Sequence, residues 1–165
     1  MRRILIALLL VSMVHIVYSQ DISNKQNKNQ KAFQEISELV KKRSFVFEAD
    51  KTFKQGGGMV DLTANPNYLK IENNQVKADL PFFGETHMIT DMDDAGINFE
   101  GEMLDYKETY HDEKMKISIS FDVNSMHDKY SCTLDIFYSG NTTLNIDCTS
   151  KSHTRYIGKI EPINP

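Results

Sequence analysis

The sequence predicts a mainly β protein: eight or nine antiparallel strands in a curled sheet, small barrel or sandwich, capped by one N-terminal helix. From Ser44 onward, apolar residues recur at every second position, the period of a strand with one buried face. Short turns separate most of these stretches, and short turns join antiparallel rather than parallel neighbours. The length of the chain suits a single domain.

Residues 1–19 have the three parts of a secretory signal peptide. Arg2 and Arg3 give a positive start, residues 4–17 form an apolar run, and the small Ser19 precedes the expected cut. The run is shorter than the roughly 18–20 apolar residues that cross a bilayer, which favours cleavage over anchoring. We therefore expect export to the periplasm or secretion, with no transmembrane segment after cleavage.

The next residues divide into a leader and a helix. Residues 20–31 are polar apart from Ile22 and are expected to form a flexible leader, since they have too little apolar surface to bury. A short amphipathic helix is predicted over about residues 30–43 from apolar residues at helical spacing. They are Phe33, Ile36, Leu39 and Val40. A single β-rich domain is thus predicted over residues 32–165.

The first strands follow from alternation and turn residues. One strand runs from Ser44 to about Phe53, and the glycines of 55–58 end it in a turn. A two-residue turn at Asn73-Asn74 would pair Ile71 with Val76 and Leu69 with Ala78, all on one face. Further strands are centred near Phe99, Glu108, Ile119, Leu134, Ile146 and Gly158.

The two cysteines predict a disulfide. If Ser139-Gly140-Asn141 is a three-residue hairpin loop, Cys132 lies directly opposite Cys148. An exported chain meets an oxidising compartment, and direct opposition gives the short Cβ separation that a disulfide needs. The alternative is two free, buried thiols. There is no CxxC pair and no histidine at ligand spacing, so a metal or redox site is not indicated.

The charge and composition of the chain limit the classes of partner that we expect. Without residues 1–19 the chain has 17 basic and 23 acidic residues, a net charge of −6. A phosphate backbone requires a basic surface, so nucleic acid is not expected as a partner. No cofactor is indicated.

A calcium loop is a weak candidate. Asp91, Asp93, Gly96 and Glu102 match positions one, three, six and twelve of such a loop. Ala95 fails at position five and the flanks are predicted strands, so an acidic surface loop is the simpler interpretation.

Catalytic motifs are not evident. There is no G-x-S-x-G elbow and no HExxH, and the histidines after the signal lie near predicted turns. Acidic residues could pair across strands by chance, so a hydrolase with a carboxylate or histidine site stays an alternative.

Aromatic residues give a candidate apolar surface. In the segment 80–84 two adjacent phenylalanines should point to opposite sides of an extended backbone, as the lip of a ligand cavity or as a plug that closes a barrel. The plug is favoured. The residues that would line a cavity or a partner surface are Phe47, Phe82, Phe83, Phe99, Tyr106 and Phe121.

Several segments together resemble a known family, the secreted proteins of Bacteroidetes that contain domain of unknown function 4251. The resemblance covers nearly all of the mature chain and implies a bacterial envelope protein with a compact β-rich fold. It implies no activity, cofactor or catalytic residue. The segments are residues 45–50, 65–70, 80–84, 96–101, 130–134, 144–145 and 156–160.

Three functions remain open on these grounds. The sequence favours a non-enzymatic binding or interaction domain, whose partner is a small apolar ligand or an envelope protein. The alternatives are the hydrolase and a structural accessory protein of the envelope, with the leader as a tether.

Overall fold

The computed structural model describes residues 26–87, 96–125 and 128–163. In this part of the chain one α-helix, α1, covers residues 26–41 and precedes ten strands. The strands are β1 (Ser44–Phe53), β2 (Met59–Asp61), β3 (Tyr68–Glu72), β4 (Gln75–Pro81), β5 (Gly96–Glu102), β6 (Leu104–His111), β7 (Lys116–Asn124), β8 (Lys129–Phe137), β9 (Asn141–Cys148) and β10 (Thr154–Pro162). A 3-10 turn at Asp112–Lys114 joins β6 to β7.

The strands form one antiparallel sheet that is nearly closed into a barrel. Their order is β5-β4-β3-β1-β10-β9-β8-β7-β6, and β2 pairs with the second half of β1. The edge strands β5 and β6 are consecutive in the chain and are separated only by Met103. The predicted fold class is confirmed, and of its three forms the structure is closest to the small barrel. The three-residue β2 is too short to give a periodic signal.

The predicted Asn73-Asn74 hairpin is confirmed with its register. Ile71 pairs with Val76 and Leu69 with Ala78, so all four side chains point into the core. Asn73 has a φ of 57°, in the left-handed region that asparagine tolerates better than most residues.

The helix begins earlier than the sequence predicted. Helix α1 starts at residue 26 and ends at residue 41, so residues 26–31 of the expected flexible leader are helical. The polar residues there include glutamine and lysine, which have good helix propensity, and they extend a helix that Phe33 and Val40 hold against the core. The rest of the leader and the predicted signal peptide lie outside the described residues.

The predicted opposition of the cysteines is wrong, and both cysteines are free. Cys132 pairs with Ile146, and Cys148 pairs with Tyr130. The hairpin loop is residues 138–140, one residue earlier than expected, and this moves every cross-strand pair by two positions. The two cysteines are therefore diagonal rather than directly opposed on one face, where Cα atoms are about 7–8 Å apart, beyond the usual Cα separation in a disulfide.

The position of Gly140 explains this register. Gly140 has a φ of 79° and donates its N–H to the carbonyl of Phe137 at 2.8 Å. A three-residue loop of this type ends on a left-handed residue, which places glycine last. The sequence interpretation had put glycine in the middle of the loop.

The core consists of the inward residues of alternating strands. In β7 every second residue is buried, Ile117, Ile119, Phe121 and Val123. Phe99 on β5 stacks on Tyr130 of β8, with ring centroids 4.5 Å apart, so aromatic contact links strands on the two sides of the open seam. The hydroxyl of the buried Tyr156 donates to the carbonyl of Pro81 at 2.8 Å and ties β10 to the end of β4.

The barrel bends at a bulge in β1. Ala49 pairs with Gly158 and Lys51 with Ile157, which leaves Asp50 as the extra residue. A bulge of this kind increases local twist and bends the strand. Gly158 is needed because a Cβ at this position would overlap the carbonyl oxygen of Glu48.

We predict that Gly158→Ala destabilises the protein by about 1–3 kcal/mol or more, because the added methyl has no space against backbone atoms. Urea unfolding followed by circular dichroism measures the effect. Lys159→Ala, on the exposed face of the same strand, is the control and should change the free energy of unfolding by less than about 0.5 kcal/mol. Equal stability of the two variants would contradict the role given to Gly158.

Candidate functional site

Three of the aromatic residues proposed for a cavity belong to the core. Phe47, Phe99 and Phe121 are at most 5% exposed and pack in one cluster with the other buried side chains. Tyr106 is half-buried and stacks on Phe121, with ring centroids 6.4 Å apart. These side chains occupy the barrel interior rather than line one of the surface grooves described below.

The two adjacent phenylalanines lie on opposite sides of the chain. Phe82 packs against the core cluster, whereas Phe83 is 39% exposed. Gly84 lies under the Phe82 ring, since a Cβ at this position would meet ring atoms of Phe82 at 2.6 Å. Phe82 therefore extends the core at this bend, whereas the Phe83 ring lies partly in solvent.

The other sequence candidates are dispersed. Asp91 and Asp93 of the weak calcium loop lie outside the described residues, and Glu102 accepts a hydrogen bond from the Asn74 side chain at the end of β5. Within the described ranges, no three acidic, histidine or cysteine side chains are grouped as metal ligands would be. His153 is exposed and contacts Asp147 at 2.8 Å.

A groove between α1 and the β6–β7 hairpin is a candidate binding site. Its volume is about 720 Å³, within the range of ligand sites. We call it the helix groove. Its lining residues are Gln26, Gln30, Phe33, Gln34, Ser37, Glu38, Lys41, Tyr110, Asp112, Glu113 and Met115.

The helical repeat brings the amide side chains of the groove together. Gln26, Gln30 and Gln34 are four residues apart, so they lie in one row along α1. Phe33 and Met115 supply the apolar part of the lining, and Phe33 is also part of the core. The groove thus has an apolar base beside a row of hydrogen-bonding groups.

The groove is acidic. Three carboxylates and one lysine line it, and the lysine, Lys41, is paired with Glu38 at 3.1 Å. Asp112 and Glu113 form no ion pair with any described residue, although Lys114 follows them in the same turn. A positively charged ligand therefore finds two unneutralised carboxylates at this end of the groove.

A polar cluster lies beside the groove, on the inward face of the edge strand β6. The Glu108 carboxylate accepts hydrogen bonds from the hydroxyls of Tyr106 and Tyr110, both at 2.8 Å. Arg43, just after α1, lies 3.7 Å from the same carboxylate and 3.9 Å from the centre of the Tyr106 ring. The Arg43 carbonyl accepts the N–H of Asn73 in the β3–β4 turn, so this residue spans the open seam.

The cluster is suited to structure rather than to proton transfer. Burial and the hydrogen bonds to Glu108 raise the pKa of Tyr106 and Tyr110 well above the usual value of 10. A general acid or base needs a pKa near the working pH, and the pKa values of these two hydroxyls are shifted further above it. The protonated hydroxyls of Tyr106 and Tyr110 contribute fully to the stability of the fold below about pH 10. This contribution is lost as the pH rises through their raised pKa values.

Sequence reasoning missed both the helix groove and the role of Glu108. The helix groove depends on where α1 lies against the sheet, which periodicity does not reveal. One signal was present for the cluster: Tyr106, Glu108 and Tyr110 alternate with outward residues, so a charged residue stands at an inward position of β6. Such a residue requires partners from neighbouring elements.

We predict that Glu108→Gln lowers the free energy of unfolding by about 1–3 kcal/mol, because an amide cannot replace a carboxylate that accepts from two tyrosines and faces Arg43. Thermal and urea unfolding at pH 7 measure the change. Glu100→Gln, which breaks the exposed pair with Lys77, is the control and should cost less than about 1 kcal/mol. A loss at Glu108 no larger than at Glu100 would show that the cluster is not stabilising.

Comparisons with known proteins agree with this fold. A crystal structure of a DUF4251 family protein from Bacteroides eggerthii is similar, with a TM-score of 0.65 and 17% sequence identity. The similarity covers 83% of this chain and 91% of that one. No curated protein matches the chain, and in the part of the chain that the structure describes no helix has the length and apolar character to cross a bilayer. The family model described as domain of unknown function (DUF4251) matches residues 27–160, and the chain therefore belongs to this family.

Proposed function

We propose that this protein is an exported, non-enzymatic interaction domain of the bacterial envelope. We infer that its helix groove binds an extended protein segment with basic side chains. The observation that carries the proposal is the form of the helix groove: an open, acidic trough beside an amide row, with apolar side chains at its base.

The filled barrel supports a site on the outer surface. The aromatic residues that could have lined an internal cavity are instead core residues, among them Phe47, Phe99 and Phe121. Small barrels bind ligands inside only when side chains leave the interior open. An interaction through the surface is therefore the better supported form of binding.

The row of amides favours a peptide over a simple cation. Gln26, Gln30 and Gln34 can each donate to and accept from a peptide backbone, and the row spans eight residues of helix, or about 12 Å. That length corresponds to three or four residues of extended chain. Lysine or arginine side chains of the same segment would meet Asp112 and Glu113.

The chemistry of the groove favours binding over hydrolysis. A hydrolase needs a nucleophile or a water activated by a nearby base. The described residues that line the groove include neither histidine nor cysteine, and the pKa of its one tyrosine, Tyr110, is raised. The carboxylate nearest to this tyrosine, Glu108, already accepts two hydrogen bonds.

Peptide binding tests the proposal for the groove. The probe is a labelled peptide of alternating lysine and valine residues, and its counterpart carries glutamate in place of lysine. We expect saturable binding of the lysine peptide, followed by fluorescence anisotropy, and a weaker interaction at higher salt, since exposed charges are screened. The glutamate peptide should not bind.

Variants locate the site. The double variant Asp112→Asn with Glu113→Gln should weaken binding about tenfold, the equivalent of about 1.4 kcal/mol. Asp79→Asn, on the exposed face of β4, is the matched control for loss of a surface carboxylate and should leave affinity unchanged. Equal binding of both peptides, or equal effects of the two sets of variants, would refute the groove as the binding site.

The predicted signal peptide supports the envelope setting, and export has its own test. We expect the full-length protein, expressed in a Bacteroidetes host, to be recovered from the periplasm or medium with Gln20 as its first residue. Intact mass spectrometry and cell fractionation measure both properties. Replacing Arg2 and Arg3 by glutamate should retain the uncut protein in the cytoplasm, because signal peptides require a positive start. A full-length cytoplasmic product from the unaltered gene would overturn the envelope assignment. It would not bear on peptide binding at the helix groove.

A further inference from the structure

A second groove lies at the other end of β1, remote from α1. It is formed where β1 ends in the glycine turn and where β10 begins, and its volume is about 330 Å³. We call it the Phe53 groove. Its lining residues are Phe53, Lys54, Gln55, Ser152, His153 and Arg155.

The Phe53 groove has an exposed apolar wall. Phe53 is 40% exposed and lies directly opposite Met59, which is 57% exposed, in the β1–β2 pairing. Ile157, also partly exposed, pairs with Lys51 on the same outer face. Phe53 is thus the apolar wall of the groove itself, and Met59, its partner in the strand pairing, extends this apolar surface beyond the lining residues.

Two cations in this groove lack carboxylate partners. Among the described residues, no acidic side chain pairs with Lys54 or with Arg155. The Arg155 Nε donates to the neutral Asn145 side chain at 3.1 Å, which orients the guanidinium without neutralising it. His153, in contrast, already contacts Asp147.

Other cations of the described chain are neutralised by carboxylates. Four strand lysines form ion pairs with aspartate or glutamate across or along the sheet. These paired lysines are Lys70, Lys77, Lys116 and Lys129. In an acidic protein, two uncompensated cations beside an apolar wall leave a site that an anion can neutralise.

The polar side of the groove is already ordered. The Gln55 Oε1 accepts hydrogen bonds from the Glu85 backbone N–H at 2.9 Å and from the Ser152 hydroxyl at 3.2 Å. These bonds join the turn after β1 to the segment after β4 and to the segment before β10, and they leave the Gln55 amide nitrogen as a further donor. A ligand therefore needs to order little of the groove when it binds.

We propose that the Phe53 groove binds a small organic anion that has an aliphatic or aromatic body and a single carboxylate or phosphate head. The head contacts Lys54 and Arg155, and the body packs on Phe53 and Met59. The ligand is a free molecule rather than a membrane lipid, because the volume of the groove, about 330 Å³, is that of one small molecule. This site is separate from the helix groove and does not depend on its function.

Titration with octanoate tests the proposal. Isotope-labelled mature protein, residues 20–165, is followed by NMR while octanoate is added below its micelle concentration. We expect saturable shift changes confined to the residues around Lys54, Ser152 and Arg155. Octanol and octylammonium are the matched probes, and each should bind at least about tenfold more weakly, because neither presents a negatively charged head to Lys54 and Arg155.

Single substitutions distinguish the contacts of the charged head of the ligand from those of its apolar body. Lys54→Gln and Arg155→Gln should each weaken octanoate binding about tenfold. Phe53→Ser should weaken the binding of octanoate and of any residual octanol together. Lys159→Gln, on the exposed face of β10, is the control and should have no effect. Thermal unfolding of each variant verifies that it is folded.

Several results would each contradict the proposal that the Phe53 groove binds a small organic anion. Shifts that do not saturate, equal affinity for octylammonium, or an equal effect of Lys159→Gln would overturn the proposal. Co-sedimentation with phosphatidylglycerol vesicles in the absence of octanoate binding would assign the surface to a membrane instead and would also overturn it. None of these results bears on peptide binding at the helix groove.

Discussion

The fold depends on the close approach of β1 and β10 at Gly158. At this point the Asp50 bulge bends β1, and the absence of a side chain lets the Glu48 carbonyl lie against the β10 backbone. The bend turns the second half of β1 away from β3, where the short β2 becomes its partner. Without it the sheet would remain flatter, since closure of a sheet requires bulges or glycine kinks at defined positions.

Curling of the sheet has two consequences for function. It brings the inward side chains of β1, β5, β7 and β8 together, and their aromatic rings fill the interior. It also leaves β5 and β6 unpaired to each other, and the contacts of Arg43 with Glu108, Tyr106 and Asn73 span this seam. Binding at the helix groove or at the Phe53 groove therefore takes place on the outer surface of the barrel.

The predictions made from the sequence agree best with the structure where they rest on a local pattern of residues. The Asn73-Asn74 hairpin was predicted with its register, because a two-residue turn and an alternating pattern on both sides allow one arrangement. The Cys132–Cys148 prediction failed by a one-residue error in the position of a glycine in its loop. That error preserves which face each residue occupies, so the apolar pattern could not reveal it.

The sequence alone determined the class of the protein: a signal-like start, one amphipathic helix and a succession of antiparallel strands whose inward residues form the core. These properties follow from local or periodic patterns in the sequence, which can be recognised without knowing which distant residues come into contact. The tertiary structure decided the closure of the barrel, the free state of the thiols and the location of both grooves. Each of these depends on residues far apart in the chain, such as Gln55 with Ser152 or Arg43 with Glu108. Only folding sets the distance between such residues.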